Sequence, residues 1–122
     1  MAEKKVLIID DTEIIRAMLK DLLEEQAYQV LTASTGEEGV DRAKEHRPDI
    51  ILIDTKIPGI DGFETCRRIK QVEGIETKVV VMTADIDAVD TVKARQMGAD
   101  DYCAKTKDFV PLMETIKNLF SS

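Results

Sequence analysis

Short runs of branched apolar residues alternate with amphipathic stretches along the whole chain. The runs at residues 6–9, 30–33, 50–53 and 79–82, with a weaker one at 102–104, have the nearly unbroken apolar character of strands covered on both faces. Between them, Ile14, Ile15, Met18, Leu19, Leu22 and Leu23 recur at helical spacing, and so do Phe109, Leu112, Met113, Ile116, Leu119 and Phe120 near the C-terminus. Thinner stripes predict helices over residues 37–46, 63–72 and 86–97; Gly62 and Gly98 punctuate them, and Pro48 follows the first of the three.

Strand and helix in regular alternation predict βα units around a parallel sheet, an α/β fold. Parallel crossovers are right-handed, so covering both faces of the sheet requires the winding to reverse once. The first, third and fourth strands are the most apolar and belong in the middle. The second and fifth then form the edges, which gives a doubly wound five-stranded sheet of order 2-1-3-4-5. The reversal falls between the first and third strands, and a ligand site is expected there, beyond the carboxyl ends of the strands.

Polar residues interrupt the apolar pattern at those same ends. Asp10 and Asp11 follow the first strand, Asp54 the third, Thr83 the fourth and Lys105 the fifth. Taken singly, each reads as a turn former or helix cap, and Asp11 or Thr12 could cap the first helix. Taken together, Asp10, Asp11 and Asp54 at adjacent strand ends would repel one another unless a cation lay among them. Oxygen donors with room for water suit Mg2+ better than zinc, since His46 and the cysteines fall elsewhere in this layout.

Composition narrows the function classes. The 122 residues fit one domain spanning 1–122, and no linker or repeat divides them. A net charge of −7, with no basic stripe, argues against direct binding of nucleic acid. Cys66 and Cys103 lie far apart inside apolar patterns and read as core residues of a reducing compartment. The first ten residues, MAEKKVLIID, form no leader peptide, and no segment is long enough to insert in a membrane, so a cytoplasmic location is expected. His46 at a helix end reads as a partner of the helix dipole.

The ordered set DD, DTKIPGIDGFE, TA and YCAK resembles the receiver domains of two-component response regulators, in particular the single-domain chemotaxis-Y-like receivers. The resemblance covers essentially the whole chain and implies a flavodoxin-like (βα)5 sandwich. It further implies that Asp54 accepts a phosphoryl group from a phosphohistidine on a sensor histidine kinase or a histidine phosphotransfer protein. Asp11, Asp54 and the backbone carbonyl of Lys56 would bind Mg2+, with Asp10 acting through a water. Lys105 and Thr83 would hold phosphoryl oxygens, and the small Ala84 would leave room for the group. Tyr102 matches the family's switch aromatic. A downstream protein would read the change on the face formed by the fourth helix, fifth strand and fifth helix, as a monomer or as a phosphorylation-dependent dimer.

Three positions stand out against the family pattern. Thr106 follows Lys105 where the family usually has proline joined by a cis peptide, which leaves that loop either trans or strained. Lys56 and Asp85 occupy positions that flank the site mouth in the family, and their opposite charges read as an exposed bridge that slows the hydrolytic water or competes for phosphate, or as two solvated side chains. The rival classes fit less well. A phosphatase of the haloacid dehalogenase-like group would need an aspartate where Lys56 stands, and Asp10-Asp11-Thr12-Glu13 would repel a flavin phosphate. A pseudo-receiver acting only through protein contacts would have no need of the full set of site residues. The chain ends at Ser121-Ser122 directly after the last helix, so it reads as a complete regulator or as a receiver cut from a longer protein.

Overall fold

The computed structural model describes residues 3–84 and 88–121, apart from the side chains of residues 88 and 89. Strands and helices alternate as β1 (Lys5–Ile9), α1 (Glu13–Glu25), β2 (Gln29–Ala33), α2 (Gly36–His46), β3 (Ile50–Asp54), α3 (Gly62–Lys70), β4 (Lys78–Thr83), α4 (Ala88–Gln96), β5 (Asp101–Ala104) and α5 (Val110–Ser121). The sheet is parallel throughout and its order is β2-β1-β3-β4-β5, as the apolar ranking of the runs predicts.

Side chains of the central strands alternate between two layers, because successive strand residues point to opposite faces. Val6, Ile8, Ile50, Leu52, Val80 and Met82 pack with Leu19 and Leu23 of α1 and with Leu112 and Ile116 of α5. Leu7, Ile9, Ile51, Ile53 and Val79 face Val40 and Ala43 of α2 and Cys66 and Ile69 of α3. A smaller cluster of Phe63, Val81 and Ala94 anchors α4. Fully burying one leucine such as Leu19 is worth about 1.5–3 kcal/mol, so either layer outweighs any single surface interaction.

The structure corrects several of the helical stripes. Ile14 and Met18 are 68% and 42% exposed, because the sheet-facing line of α1 runs through Leu19 and Leu23, with Ile15 and Leu22 beside it. Phe109 lies ahead of α5, not within it: its backbone is left-handed, with φ 57°, and its ring is buried in the core. The Asp108 carboxylate accepts the Val110 N–H at 3.1 Å and fixes the helix start one residue after Phe109. The helices over 63–72 and 86–97 are shorter than their stripes suggest, ending at Lys70 and Gln96, and Ile86 lies outside the described residues. Both cysteines are buried and unpaired with each other.

Candidate functional site

The strand register brings the carboxyl ends level. Ile9 pairs with Ile53, Asp54 with Met82, and Thr83 with Ala104, so Asp10, Asp11, Asp54, Thr83 and Lys105 gather at one edge of the sheet. Asp10 is fully buried, and its carboxylate closes the turn into α1 by accepting the Thr12 N–H at 2.8 Å. Thr12 occupies the N-cap position, but its own side chain makes no capping bond. Arg16, one turn into α1, donates from Nη1 to the Asp10 carbonyl at 2.7 Å and steadies the same turn. Sequence reading passes over Arg16 because nothing distinguishes it from other helix-surface cations; its only signal is a position one helical turn past Thr12.

Lys105 is the cation at the centre of this edge. Its Nζ donates to Asp10 Oδ2 at 2.6 Å and to Asp54 Oδ2 at 3.1 Å. The pairs are largely shielded from water, with side-chain exposures of 14% for Lys105 and 13% for Asp54. Burial raises the Asp54 pKa above its ordinary value and Asp10's charge adds to the rise, while Lys105 opposes it. Burial works against the Lys105 ammonium, but the Asp10 hydrogen bond and the charges of both aspartates outweigh it and raise its pKa. The carboxylates of Asp10, Asp11 and Asp54 offer oxygens that all lie within 4.8 Å of one another, Asp10 buried, Asp54 half-buried and Asp11 exposed. An all-oxygen donor set with one open side fits a hard divalent cation that keeps waters.

Lys56, Thr83, Ala84 and Thr106 lie at the same sheet edge as this cluster. The Lys56 N–H donates to Asp54 Oδ1 at 3.3 Å, and its side chain is exposed. Thr83 is buried, and its carbonyl accepts the Lys105 N–H at 2.7 Å, tying the ends of β4 and β5 together. Ala84 is exposed and shares a cavity with Ile15, Met18, Lys105 and Thr106 beside the acidic cluster. The Lys105–Thr106 peptide is trans, and the Thr106 hydroxyl donates to Asp108 at 2.9 Å. Asp85, and with it the bridge to Lys56, lies outside the described residues. Tyr102 packs its ring against the Phe63, Val81 and Ala94 cluster, and its hydroxyl is buried with no hydrogen-bond partner among the described residues. His46 is the last residue of α2, away from the cluster.

Gly62 carries more than helix punctuation. It begins α3 against the back of β3, and a Cβ there would lie 2.2 Å from the Asp54 carbonyl oxygen and 2.8 Å from Thr55 Cα. Only glycine lets α3 sit this close behind Asp54, a requirement that the sequence alone does not announce.

Comparison with known proteins agrees with this geometry. The family model described as response regulator receiver domain matches residues 6–117. The chain is 42% identical over 100 residues to the transcriptional regulatory protein AfsQ1 of Streptomyces coelicolor, covering 82% of this chain and 44% of that protein. It thus spans less than half the length of that relative. It is 33% identical to the sporulation initiation phosphotransferase F of Bacillus subtilis, covering 96% of this chain and 94% of that one. Its structure resembles that of the response regulator protein TrrA of Thermotoga maritima in complex with Mg2+-BeF, with a TM-score of 0.85 at 31% identity over 95% of this chain and 98% of that one. Matched over nearly its whole length and carrying the acidic cluster at the predicted sheet edge, the chain belongs to the response regulator receiver domains of two-component systems.

Proposed function

We propose that this receiver takes a phosphoryl group on Asp54 from a phosphohistidine of a sensor histidine kinase or histidine phosphotransfer protein, in a Mg2+-dependent transfer in the cytoplasm. The observation that carries the reading is the cluster of Asp10, Asp11 and Asp54, with oxygens close enough to share one cation, two of whose members, Asp10 and Asp54, are held by Lys105. Asp11, Asp54 and the Lys56 carbonyl would hold the metal, with Asp10 behind them through water. Bound Mg2+ supplies positive charge that offsets repulsion between the carboxylate and the phosphoryl group. TrrA, a structural relative, is itself in complex with Mg2+-BeF.

In the transfer, an Asp54 oxygen attacks phosphorus while the bond from phosphorus to the donor imidazole nitrogen breaks. The bonding pair stays on that nitrogen, and an acyl phosphate forms on Asp54. Lys105 favours the ionised carboxylate before the reaction and can move its hydrogen bond to a phosphoryl oxygen afterwards. Thr83 would supply a hydroxyl to another oxygen, in the space left by Ala84. Attack of water on the acyl phosphate later restores the carboxylate and releases inorganic phosphate. In this role the chain is a regulatory phosphoacceptor that promotes its own phosphorylation and dephosphorylation. Lys56, Asp85 and Thr106 at the site mouth would tune that lifetime.

The readout would run through Tyr102. A buried hydroxyl without a partner costs about 1–3 kcal/mol, so the inward ring is held by packing against a polar penalty and a small bias can move it. Tyr102 packs against the cluster that includes Ala94, the α4 side chain buried in the core among those described. Thr83 drawn toward a phosphoryl group would change the space behind Tyr102 and so the α4, β5 and α5 face that a downstream protein or a second copy contacts. Incubation with phosphoramidate and Mg2+ followed by intact mass should add one phosphoryl mass to the parent and none to Asp54→Asn. An unmodified parent would sink the proposal.

A further inference from the structure

We propose that Glu37 is a positioning residue for the metal site: from the first turn of α2 it holds the backbone of the β3–α3 loop, and with it the Lys56 carbonyl, in register with Asp54. The inference rests on the functional reading above, since it gives that loop a ligand to position. Glu37 Oε1 accepts the Ile60 N–H at 3.1 Å, a bond between elements 23 residues apart in the chain. The carboxylate also lies beside Gly59, whose backbone is left-handed at φ 79°. A Cβ at Gly59 would meet Glu37 Oε1 at 2.6 Å and Oε2 at 2.8 Å. The left-handed backbone calls for glycine at this position, and the absence of a Cβ leaves room for the Glu37 carboxylate beside it.

The neighbouring residue makes the seat a fitted one. A Cβ at Gly36 would lie 2.2 Å from Thr65 Oγ1 and 2.6 Å from Ile60 Cγ1, so the start of α2 rests directly on Ile60 and on the first turn of α3. That start is itself fixed, because Thr35 caps α2 by accepting the Glu38 N–H at 3.1 Å. At its far end the loop is fixed by Asp61, which caps α3 by accepting the Glu64 N–H at 2.8 Å. At its near end the Lys56 N–H reaches Asp54 at only 3.3 Å. Between those ends, Glu37 supplies a side-chain bond from another element to the loop backbone. The Ile60 N–H holds the Glu37 carboxyl below its ordinary pKa, in keeping with an acceptor that stays ionised at neutral pH.

Glu37→Ala removes the acceptor, whereas Glu37→Gln removes the charge and keeps an oxygen for the Ile60 N–H. Calorimetric titration with Mg2+ alone, at fixed ionic strength, should show Kd raised about 2- to 10-fold in Glu37→Ala and within about two-fold of the parent in Glu37→Gln. Hydrogen exchange at the Ile60 amide should speed up in the alanine variant only. A purely structural role would lower the melting temperature of Glu37→Ala and leave its Mg2+ affinity at the parent's value, which overturns the proposal. Equal weakening in both variants makes the effect one of charge and overturns it too. A parent that binds no Mg2+ overturns the functional reading and this proposal together, whereas a parent that binds it equally well as Glu37→Ala overturns this proposal alone.

Discussion

Replacing Gly62 with alanine should damage the fold and the site together. The new methyl carbon would stand 2.2 Å from the Asp54 carbonyl oxygen, about 1 Å short of where ordinary contact begins at 3.4 Å. Neither side can yield cheaply. The obstacle is strand backbone, and the Gly62 N–H is itself bonded to the Thr55 carbonyl at 3.1 Å. Overpacking of this kind costs about 1–3 kcal/mol or more, and the helix-propensity gain of alanine, at most about 1 kcal/mol, is smaller still at a first helical position. For 122 residues, an unfolding entropy of about 2.1 cal/mol/K per residue turns each kcal/mol into about 4 °C, so the melting temperature should fall by about 4–12 °C. Because the displaced backbone carries Asp54, Mg2+ binding should weaken by about ten-fold. Gly74→Ala is the control: its φ is 74°, and a Cβ there comes no nearer than 4.0 Å to Arg47 Nη1, so it should lose about 1–2 kcal/mol to backbone strain and keep its Mg2+ affinity. Thermal melts and Mg2+ titrations on the three proteins provide the check. Gly62→Ala melting within about 2 °C of the parent, or melting lower with unchanged Mg2+ affinity, would refute the reasoning.

Two further predictions concern the buried charges. The folded-state pKa of Asp54 is raised, chiefly by burial, so its ionised form opposes folding; that opposition is absent below the ordinary aspartate value of about 3.8 and grows as pH rises through the folded value. In chelator, urea midpoints of Asp54→Asn should therefore exceed the parent's at pH 7 and converge with them near pH 3.5, roughly the lower edge of that window; a variant less stable than the parent at pH 7 contradicts this. Lys105→Met leaves fully buried Asp10 with the Thr12 N–H but no cation, so the loss should fall at the lower end of the range for broken buried pairs, about 3 kcal/mol or about 12 °C. Since the Lys105 pKa is raised, its contribution is complete below 10.5 and is lost as pH rises through the folded value. Melts of the two proteins that coincide at pH 7 would show that the pair contributes nothing.

The sheet is legible in the sequence because its central strands are buried on both faces and so carry unbroken apolar runs. The polar residues that extend four of the strands, Lys5, Gln29, Lys78 and Asp101, are paired in the ladder yet carry no apolar signal, which is why the predicted strands start late. Periodicity also overstates α1: residues at helical spacing form a stripe wider than the line that meets the sheet, and Ile14 and Met18 fall off its edge. Phe109 fits the α5 stripe by spacing alone, whereas its left-handed backbone and the Asp108 cap belong to loop geometry that periodicity does not encode. At the site, Asp10, Asp11, Asp54, Thr83 and Lys105 are legible because polar residues at strand ends break an apolar pattern. Arg16, Glu37 and Gly62 are not, since what sets them apart is a backbone atom of a distant segment within reach.

The central claim, that Asp54 receives the phosphoryl group, can be tested at the residue itself. Protein treated with phosphoramidate and Mg2+ is reduced with borohydride, which converts an aspartyl phosphate to homoserine, and is then mapped by peptide mass spectrometry. Homoserine at position 54, dependent on both the phosphodonor and the metal, is the predicted result. Homoserine at Asp10 or Asp11 instead, or at none of the three, would contradict it.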